Sequence, residues 1–137
     1  MLSVHKELRT DAAPTPAGFY SQAVLAGEML FISGQLPFDT EGNLVEGDAR
    51  QQTAATLRNI QHILHAAGAD QDNLVQVTVY VSDIELWPEV NAVYEAFLRD
   101  VPIPPARAVV PARELHYGAS VEIQAVAYLE APSNHPC

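Results

Sequence analysis

The chain has 137 residues, 48% of them hydrophobic, which predicts one globular domain over residues 1–137 with a core of its own. Seven basic residues stand against 17 acidic ones, and the net charge of −10 argues against nucleic acid and against an anionic membrane as partners. The single cysteine, Cys137, offers no disulfide, and with no segment apolar enough to span a membrane the sequence predicts a cytoplasmic protein.

The first half of the chain predicts two strands followed by a helix. Residues 23–25 and 29–33 are short apolar runs on either side of a tight turn, as in a hairpin. Apolar residues then recur at three- and four-residue spacing, which predicts a helix over about residues 49–67. Asp48 is the expected N-cap of this helix, and Gly68 is the residue expected to end it.

The second half predicts a strand, a helix and two more strands. Valine alternates with polar residues over 74–81, and the helix that follows is expected to be capped near Asp83, with Pro88 in its first turn. Strands at about 105–112 and 120–128 complete the order ββαβαββ. We therefore expect an α+β fold whose mixed sheet carries both helices on one face. The other face is too mixed in composition to be left to solvent, which predicts self-association.

Arg107 and Glu122 are charges inside the last two apolar strands. Strand alternation predicts that each points away from the more apolar face, so that both line one wet cleft between subunits. An arginine fork suits bidentate binding of a carboxylate, and a nearby glutamate can hold or activate a water. The pair thus indicates a site for a small carboxylic acid. The alternative is a cross-strand ion pair on an exposed face, the more frequent arrangement in an arbitrary sequence.

The histidines offer weaker signals. His62 and His65 stand three apart on the first predicted helix, but no third ligand follows at a recognisable spacing, so no metal site is predicted. His116 lies in a loop beside Tyr117, where it either reaches the mouth of a pocket or is simply exposed to water. Exposure is the commoner situation for a loop histidine.

Short sequence blocks point to a family. In chain order they are residues 18–24 (GFYSQAV), 32–37 (ISGQLP), 90–97 (VNAVYEAF), 105–107 (PAR) and 121–127 (VEIQAVA). Each block is weak by itself, but their joint occurrence in this order is specific. Over about residues 13–129 the chain resembles the Rid (reactive intermediate deaminase, YjgF) family.

The resemblance implies a fold, an assembly and a reaction. The fold is a chorismate-mutase-like α+β fold, and the assembly is a homotrimer with clefts between its subunits. The reaction is hydrolysis of 2-enamino or 2-imino acids, such as 2-aminoacrylate or 2-iminobutanoate, to 2-keto acids and ammonia. The expected partner is therefore a small imino, enamino or keto acid, and no cofactor is expected.

The resemblance also assigns roles to individual positions. Arg107 matches the arginine that binds the substrate carboxylate, and Glu122 matches the carboxylate near the attacking water. Without the resemblance we would place the ring of Tyr20 in the core, Ser33 in a strand-end turn and Asn91 on a solvated helix face. Backbone amides near residues 34 and 108 are expected to support developing charge. The predicted substrate-binding residues are Tyr20, Ser33, Gly34, Asn91, Arg107 and Ala108.

Departures from the family pattern leave the substrate range and the function class open. Phe19 stands where members often have proline, Val109 where they often have cysteine, and His116 where they often have proline. We expect His116 to tune substrate preference without carrying chemistry. Two other classes of function are a non-catalytic trimer that binds a small carboxylate as a sensor or regulator, since Arg107 alone explains binding, and an RNA endonuclease, which the acidic composition disfavours.

Overall fold

The computed structural model describes residues 5–130, which form a six-stranded mixed sheet with two α-helices. Neither helix in that range is long and apolar enough to cross a bilayer. Cys137 lies outside the described residues. The strands are β1 His5–Leu8, β2 Ala23–Ala26, β3 Met29–Gln35, β4 Leu74–Val81, β5 Ala106–Pro111 and β6 Val121–Tyr128, and the helices are α1 Ala49–Ala66 and α2 Trp87–Phe97.

The strand order across the sheet is β1-β2-β3-β6-β4-β5. Every pair is antiparallel except β4 with β5, which are parallel and are connected through α2. Both helices pack on the same side of the sheet, as predicted. The core lies between the helices and the sheet. It consists of apolar side chains that include Ile60 and Ile63 of α1, Val90 of α2, and Val79 and Ile123 of the sheet.

Local sequence signals explain the long elements. The Asp48 carboxylate accepts a hydrogen bond from the Gln51 amide, and the Gln51 side chain accepts one from the Asp48 amide, which together form a capping box. Gly68 follows the helix with a φ of 76°, a left-handed conformation that suits glycine. The predicted N-cap, helix and stop are therefore confirmed, as is the strand over 74–81.

Two predictions about elements need correction. No strand was predicted before residue 23, but β1 pairs with β2 at the sheet edge, where its exposed polar residues give no apolar alternation. Asp83 caps a 3-10 turn, Ile84–Leu86, by accepting a hydrogen bond from the Glu85 amide, and α2 itself begins at Trp87. Asp83 is therefore the cap of the turn that precedes α2 and not of α2 itself.

The sheet face opposite the helices is open in a single chain. Three large apolar side chains on this face keep 38% to 46% of their surface exposed. They are Phe31 of β3, Val110 of β5 and Tyr128 of β6. Several large, partly exposed apolar side chains on one sheet face favour a face that is covered by a partner.

Candidate functional site

Arg107 and Glu122 lie on opposite faces of the sheet. In the strand registers Arg107 is opposite Val77 and Glu122 is opposite Tyr80, and these two partners stand three residues apart on β4. Side chains an odd number of residues apart on a strand point to opposite faces. The expectation that both charges lie on the uncovered face is therefore wrong for Arg107, which points to the helix side. On the exposed edge strand β5 the alternation of small apolar residues does not mark the buried face.

Arg107 is held by one face of α2, in what we call the arginine cluster. Its guanidinium carbon lies 4.8 Å from the ring centre of Trp87 and 5.2 Å from that of Tyr94. One guanidinium nitrogen donates to Asn91 Oδ1 at 3.2 Å, and the Asn91 amide donates to Glu95 Oε1 at 2.9 Å. The aromatic rings and the amide thereby fix the direction of the fork.

The arginine cluster retains capacity for an anion. A guanidinium has five N–H donors, and in the described part of the chain the bond to Asn91 is the hydrogen bond that Arg107 donates. The other N–H donors of Arg107 are available for a bidentate bond to a carboxylate. The pKa of the nearby Tyr94 hydroxyl is raised by burial, the larger effect, and lowered by the charge of Arg107.

Glu122 lies against Gly34 on the other face, in what we call the glutamate cluster. The register of β3 against β6 shifts between Ile32 and Gln35, and this irregularity places Ser33 and Gly34 outside the regular ladder. A Cβ at position 34 would collide with the Glu122 carboxylate, so any residue other than glycine would displace that carboxylate from its position. The Ser33 hydroxyl donates to the Ser21 carbonyl at 2.6 Å, which ties this bulge to the preceding segment.

The electrostatic environment of Glu122 suits a base. Partial burial raises the pKa of its carboxyl, and a smaller effect of the opposite sign comes from His116. His116 therefore lies near enough to interact electrostatically with Glu122. A carboxylate with a raised pKa is a stronger base and can both remove and return a proton, and such groups are concentrated at functional sites.

A cavity of about 580 Å³ opens beside the glutamate cluster. Three segments form it, residues 14–22, 34–42 and 116–117. Tyr20 lines this cavity with 52% of its surface exposed, and its hydroxyl accepts a hydrogen bond from the Ala17 amide at 3.3 Å. The alternative of a core position for the Tyr20 ring is thus excluded. His116 also lines the cavity, and its side chain is exposed.

The chain is similar to a known family over most of its length. The Endoribonuclease L-PSP family matches residues 10–129. A RutC family protein of Aquifex aeolicus is 44% identical over 89% of this chain and 98% of its own length, and a Bos taurus protein named 2-iminobutanoate/2-iminopropanoate deaminase is 42% identical over 90% of each. The chain belongs to the Rid family. The crystal structure of a RidA protein from the Antarctic bacterium Psychrobacter matches this Rid chain with a TM-score of 0.85 and 38% identity, over 90% of this chain and 99% of the other.

In this Rid chain the predicted site residues divide between the two clusters. Arg107, Asn91 and Ala108 belong to α2 and the edge strand β5, whereas Glu122, Gly34, Ser33 and Tyr20 belong to the other side of the sheet and to the cavity. A single chain does not bring the two groups together.

Several residues that surround these clusters were not predicted from the sequence. Neither Trp87 nor Tyr94 was predicted to lie beside Arg107, although the structure places both rings against its guanidinium. Their spacing with Asn91, at i, i+4 and i+7, indicates one helix face and is the signal that identifies the surroundings of Arg107. Phe38 and Tyr117 of the cavity carry no comparable signal, because loops with no periodicity bring them together.

The histidine pair on α1 has a structural contact. His62 Nδ1 lies 2.7 Å from the Ala12 carbonyl oxygen, while His65 is exposed. Within residues 5–130 no group of three or more His, Cys, Asp or Glu side chains is arranged to hold a metal ion. His62 thus attaches the segment before β2 to the first helix.

Proposed function

We propose that this protein hydrolyses 2-enamino and 2-imino acids, such as 2-aminoacrylate or 2-iminobutanoate, to 2-keto acids and ammonia. The observation that carries the proposal is the pair of complementary half-sites, an aligned guanidinium with unused donors and a partly buried carboxylate of raised pKa beside a cavity. The Bos taurus relative that is named a 2-iminobutanoate/2-iminopropanoate deaminase supports the same reaction.

The proposed reaction needs one water and a few proton transfers. An enamine first gains a proton on carbon and loses one from nitrogen, which gives the imine. Arg107 binds the substrate carboxylate and so orients the imine carbon. Glu122 accepts a proton from water, the hydroxide adds to that carbon, and the proton passes to nitrogen. The hydroxyl proton of the carbinolamine then passes to the amino nitrogen, the C–N bond breaks, ammonia leaves and the keto acid remains. No electrons are transferred to an acceptor, so no cofactor is required.

The proposed site is formed between copies in a homotrimer of chorismate-mutase-like fold. Because Arg107 and Glu122 lie on opposite faces of one sheet, they meet when the arginine cluster of one copy contacts the glutamate cluster of the next. A contact between two different patches is heterologous, and it forms a closed ring when the rotation is right. The open sheet face, with Phe31 and Tyr128, supplies apolar surface for such an interface.

The test is conversion of an imino acid that an amino-acid oxidase generates in place, with keto acid and ammonia as readouts. Wild type should exceed the buffer rate, and Arg107→Ala should fall at least about a hundredfold because orientation is lost. Glu122→Gln should still bind a keto acid yet lose turnover. Arg113→Ala, which removes an exposed arginine outside both clusters, is the matched control and should keep full activity.

The outcomes separate the function classes. If wild type and Arg107→Ala both follow the buffer rate with several imino acids, the deaminase proposal is wrong. Keto-acid binding that depends on Arg107 without any turnover would indicate a sensor or regulator. Salt-sensitive retention of RNA would indicate the nuclease activity that the name of the matching family describes, although the net charge of −10 opposes it.

A further inference from the structure

Aromatic rings form one wall of the cavity beside Gly34. The rings of Phe38 and Tyr117 meet edge to face, with centroids 5.0 Å apart and an interplanar angle of 84°. The His116 ring lies 5.9 Å from that of Tyr117, and Tyr20 lines the same cavity. This wall is open to a ligand, because Tyr117 keeps 67% of its surface exposed.

The backbone at Tyr117 supports a role for its ring. Tyr117 has a φ of 63°, and Gly118, which follows, has a φ of 72°. A bulky residue in the left-handed region is uncommon and costs free energy, and such strain is concentrated at functional sites. The strained turn presents the ring beside Phe38 at the cavity wall.

The cavity and the proposed base are adjacent. Gly34 lines the cavity and also contacts the Glu122 carboxylate, so a substrate whose imine carbon lies near Glu122 can extend its side chain toward Phe38 and Tyr117. A volume of about 580 Å³ lies within the range of sites that hold drug-sized ligands. The side chain of a three- or four-carbon imino acid offers little apolar surface to these rings, whereas a phenyl or hydroxyphenyl group can pack against them edge to face.

We propose that the preferred substrates are 2-imino acids with an aromatic side chain, of the kind formed by oxidation of phenylalanine or tyrosine. This inference rests on the proposed deaminase function and specifies its substrate class. The reaction is the same for these substrates: the oxygen of water replaces the imine nitrogen, and the nitrogen leaves as ammonia. Phe38 and Tyr117 are specificity-determining residues that contact only the side chain of the substrate.

The first test compares kcat/KM for the imino acids formed from phenylalanine and from alanine. Wild type should prefer the phenyl substrate at least about tenfold, which corresponds to roughly 1.4 kcal/mol. Tyr117→Asn removes the ring but tolerates the left-handed backbone, and Phe38→Leu keeps an apolar side chain, so both should fold. Each should reduce the preference to within about threefold by slowing the phenyl substrate.

The control is Ile84→Ala, which removes an exposed apolar side chain outside the cavity and should leave the preference unchanged. A wild-type preference for the alanine-derived substrate would overturn the inference while leaving the deaminase function in place. A preference for the phenyl substrate that neither Tyr117→Asn nor Phe38→Leu reduces would also overturn the inference.

The second test measures binding without turnover. In calorimetry with the full-length protein, 2-oxo-3-phenylpropanoate should bind at least about tenfold more tightly than pyruvate, and Tyr117→Asn should remove most of that difference. If no imino acid is hydrolysed but this binding pattern is observed, the proposed deaminase function is wrong and the cavity is still a site for aromatic side chains. Equal affinity for the two keto acids would overturn the cavity assignment whatever the activity.

Discussion

At the scale of single residues, the site depends on the absence of a side chain at position 34. The Glu122 carboxylate occupies the space that a Cβ of residue 34 would need. The backbone there does not require a left-handed conformation, so the need for glycine is steric rather than conformational. The reason for the glycine in ISGQLP is thus visible only once β3 and β6 are paired.

Gly34→Ala should therefore displace Glu122 and lower kcat of the proposed deaminase at least about a hundredfold, because small errors of position cost that much in catalysis. The comparison is Gly68→Ala, which strains a left-handed residue in open space at the end of α1. That variant should lose about 1 kcal/mol of stability and keep its activity. Normal kcat in a folded Gly34→Ala protein would contradict the assigned position of the base.

The pH dependence of activity should report the environment of Glu122. Burial raises the pKa of its carboxyl and His116 lowers it, so removal of His116 should raise it further. In His116→Gln the acidic limb of kcat/KM should move to higher pH, while activity on the plateau stays within about tenfold of wild type. His65→Gln, an exposed histidine on α1, is the control. Loss of several orders of magnitude on the plateau would make His116 a catalytic acid or base.

The same carboxyl should make the folded protein less stable at neutral pH. Below about pH 4 the carboxyl is protonated in both the folded and the unfolded states. It is then neutral, so its partial burial in the folded state does not bury a charge. As pH rises through the raised folded-state pKa, the folded state must hold a disfavoured carboxylate, so stability falls. Glu122→Gln should thus melt higher than wild type at pH 8 and equally at low pH. A lower melting temperature at pH 8 would contradict this sign.

At the scale of elements, α1 holds the loop that carries the cavity wall. The Asn59 side chain, 5% exposed, donates to the carbonyl oxygens of Leu36 and Phe38 at 3.1 and 3.0 Å. On the other side of the cavity, buried Gln22 bonds Thr10 and Pro14 through its amide. Buried amides therefore shape both of these segments, whose backbone is otherwise irregular.

Asn59→Leu should leave two carbonyl oxygens without their donor and lower the free energy of unfolding by about 1–3 kcal/mol, measured by chemical denaturation. It should also weaken binding of 2-oxo-3-phenylpropanoate, because the loop bearing Phe38 is no longer fixed. Gln61→Leu, on the same helix with a 3.5 Å amide contact, should change stability by less than about 0.5 kcal/mol. Equal stability of the two variants would show that the loop does not depend on Asn59.

Elements with strong periodicity were predictable, and features at the sheet edge were not. The helix at Ala49–Ala66 follows from a capping residue and a regular apolar stripe, and β4 from alternating valines. Strand β1 and the orientation of Arg107 depend on pairing at the sheet edges, where neither face of a strand is fully buried. The contact of Arg107 with Trp87 depends on how α2 crosses the sheet, which no local pattern specifies.

In the assembled protein, the proposed site requires more than one copy of the chain. One chain separates the arginine cluster from the glutamate cluster by the thickness of its sheet, and it leaves a partly apolar face open. A homotrimer should therefore be seen in sedimentation equilibrium at about three times the 14.9 kDa chain mass. A stable monomer at micromolar concentration would contradict the shared site.

Subunit mixing tests whether Arg107 of one copy and Glu122 of another act on the same imino acid. Arg107→Ala and Glu122→Gln chains, each inactive alone, are co-expressed with different tags, and assemblies that carry both tags are purified. If each site takes its two residues from neighbouring copies, random mixing restores about a quarter of the wild-type rate per chain before purification, and one intact site in each mixed trimer after it. Mixed assemblies that remain inactive would show that Arg107 and Glu122 do not act together across subunits.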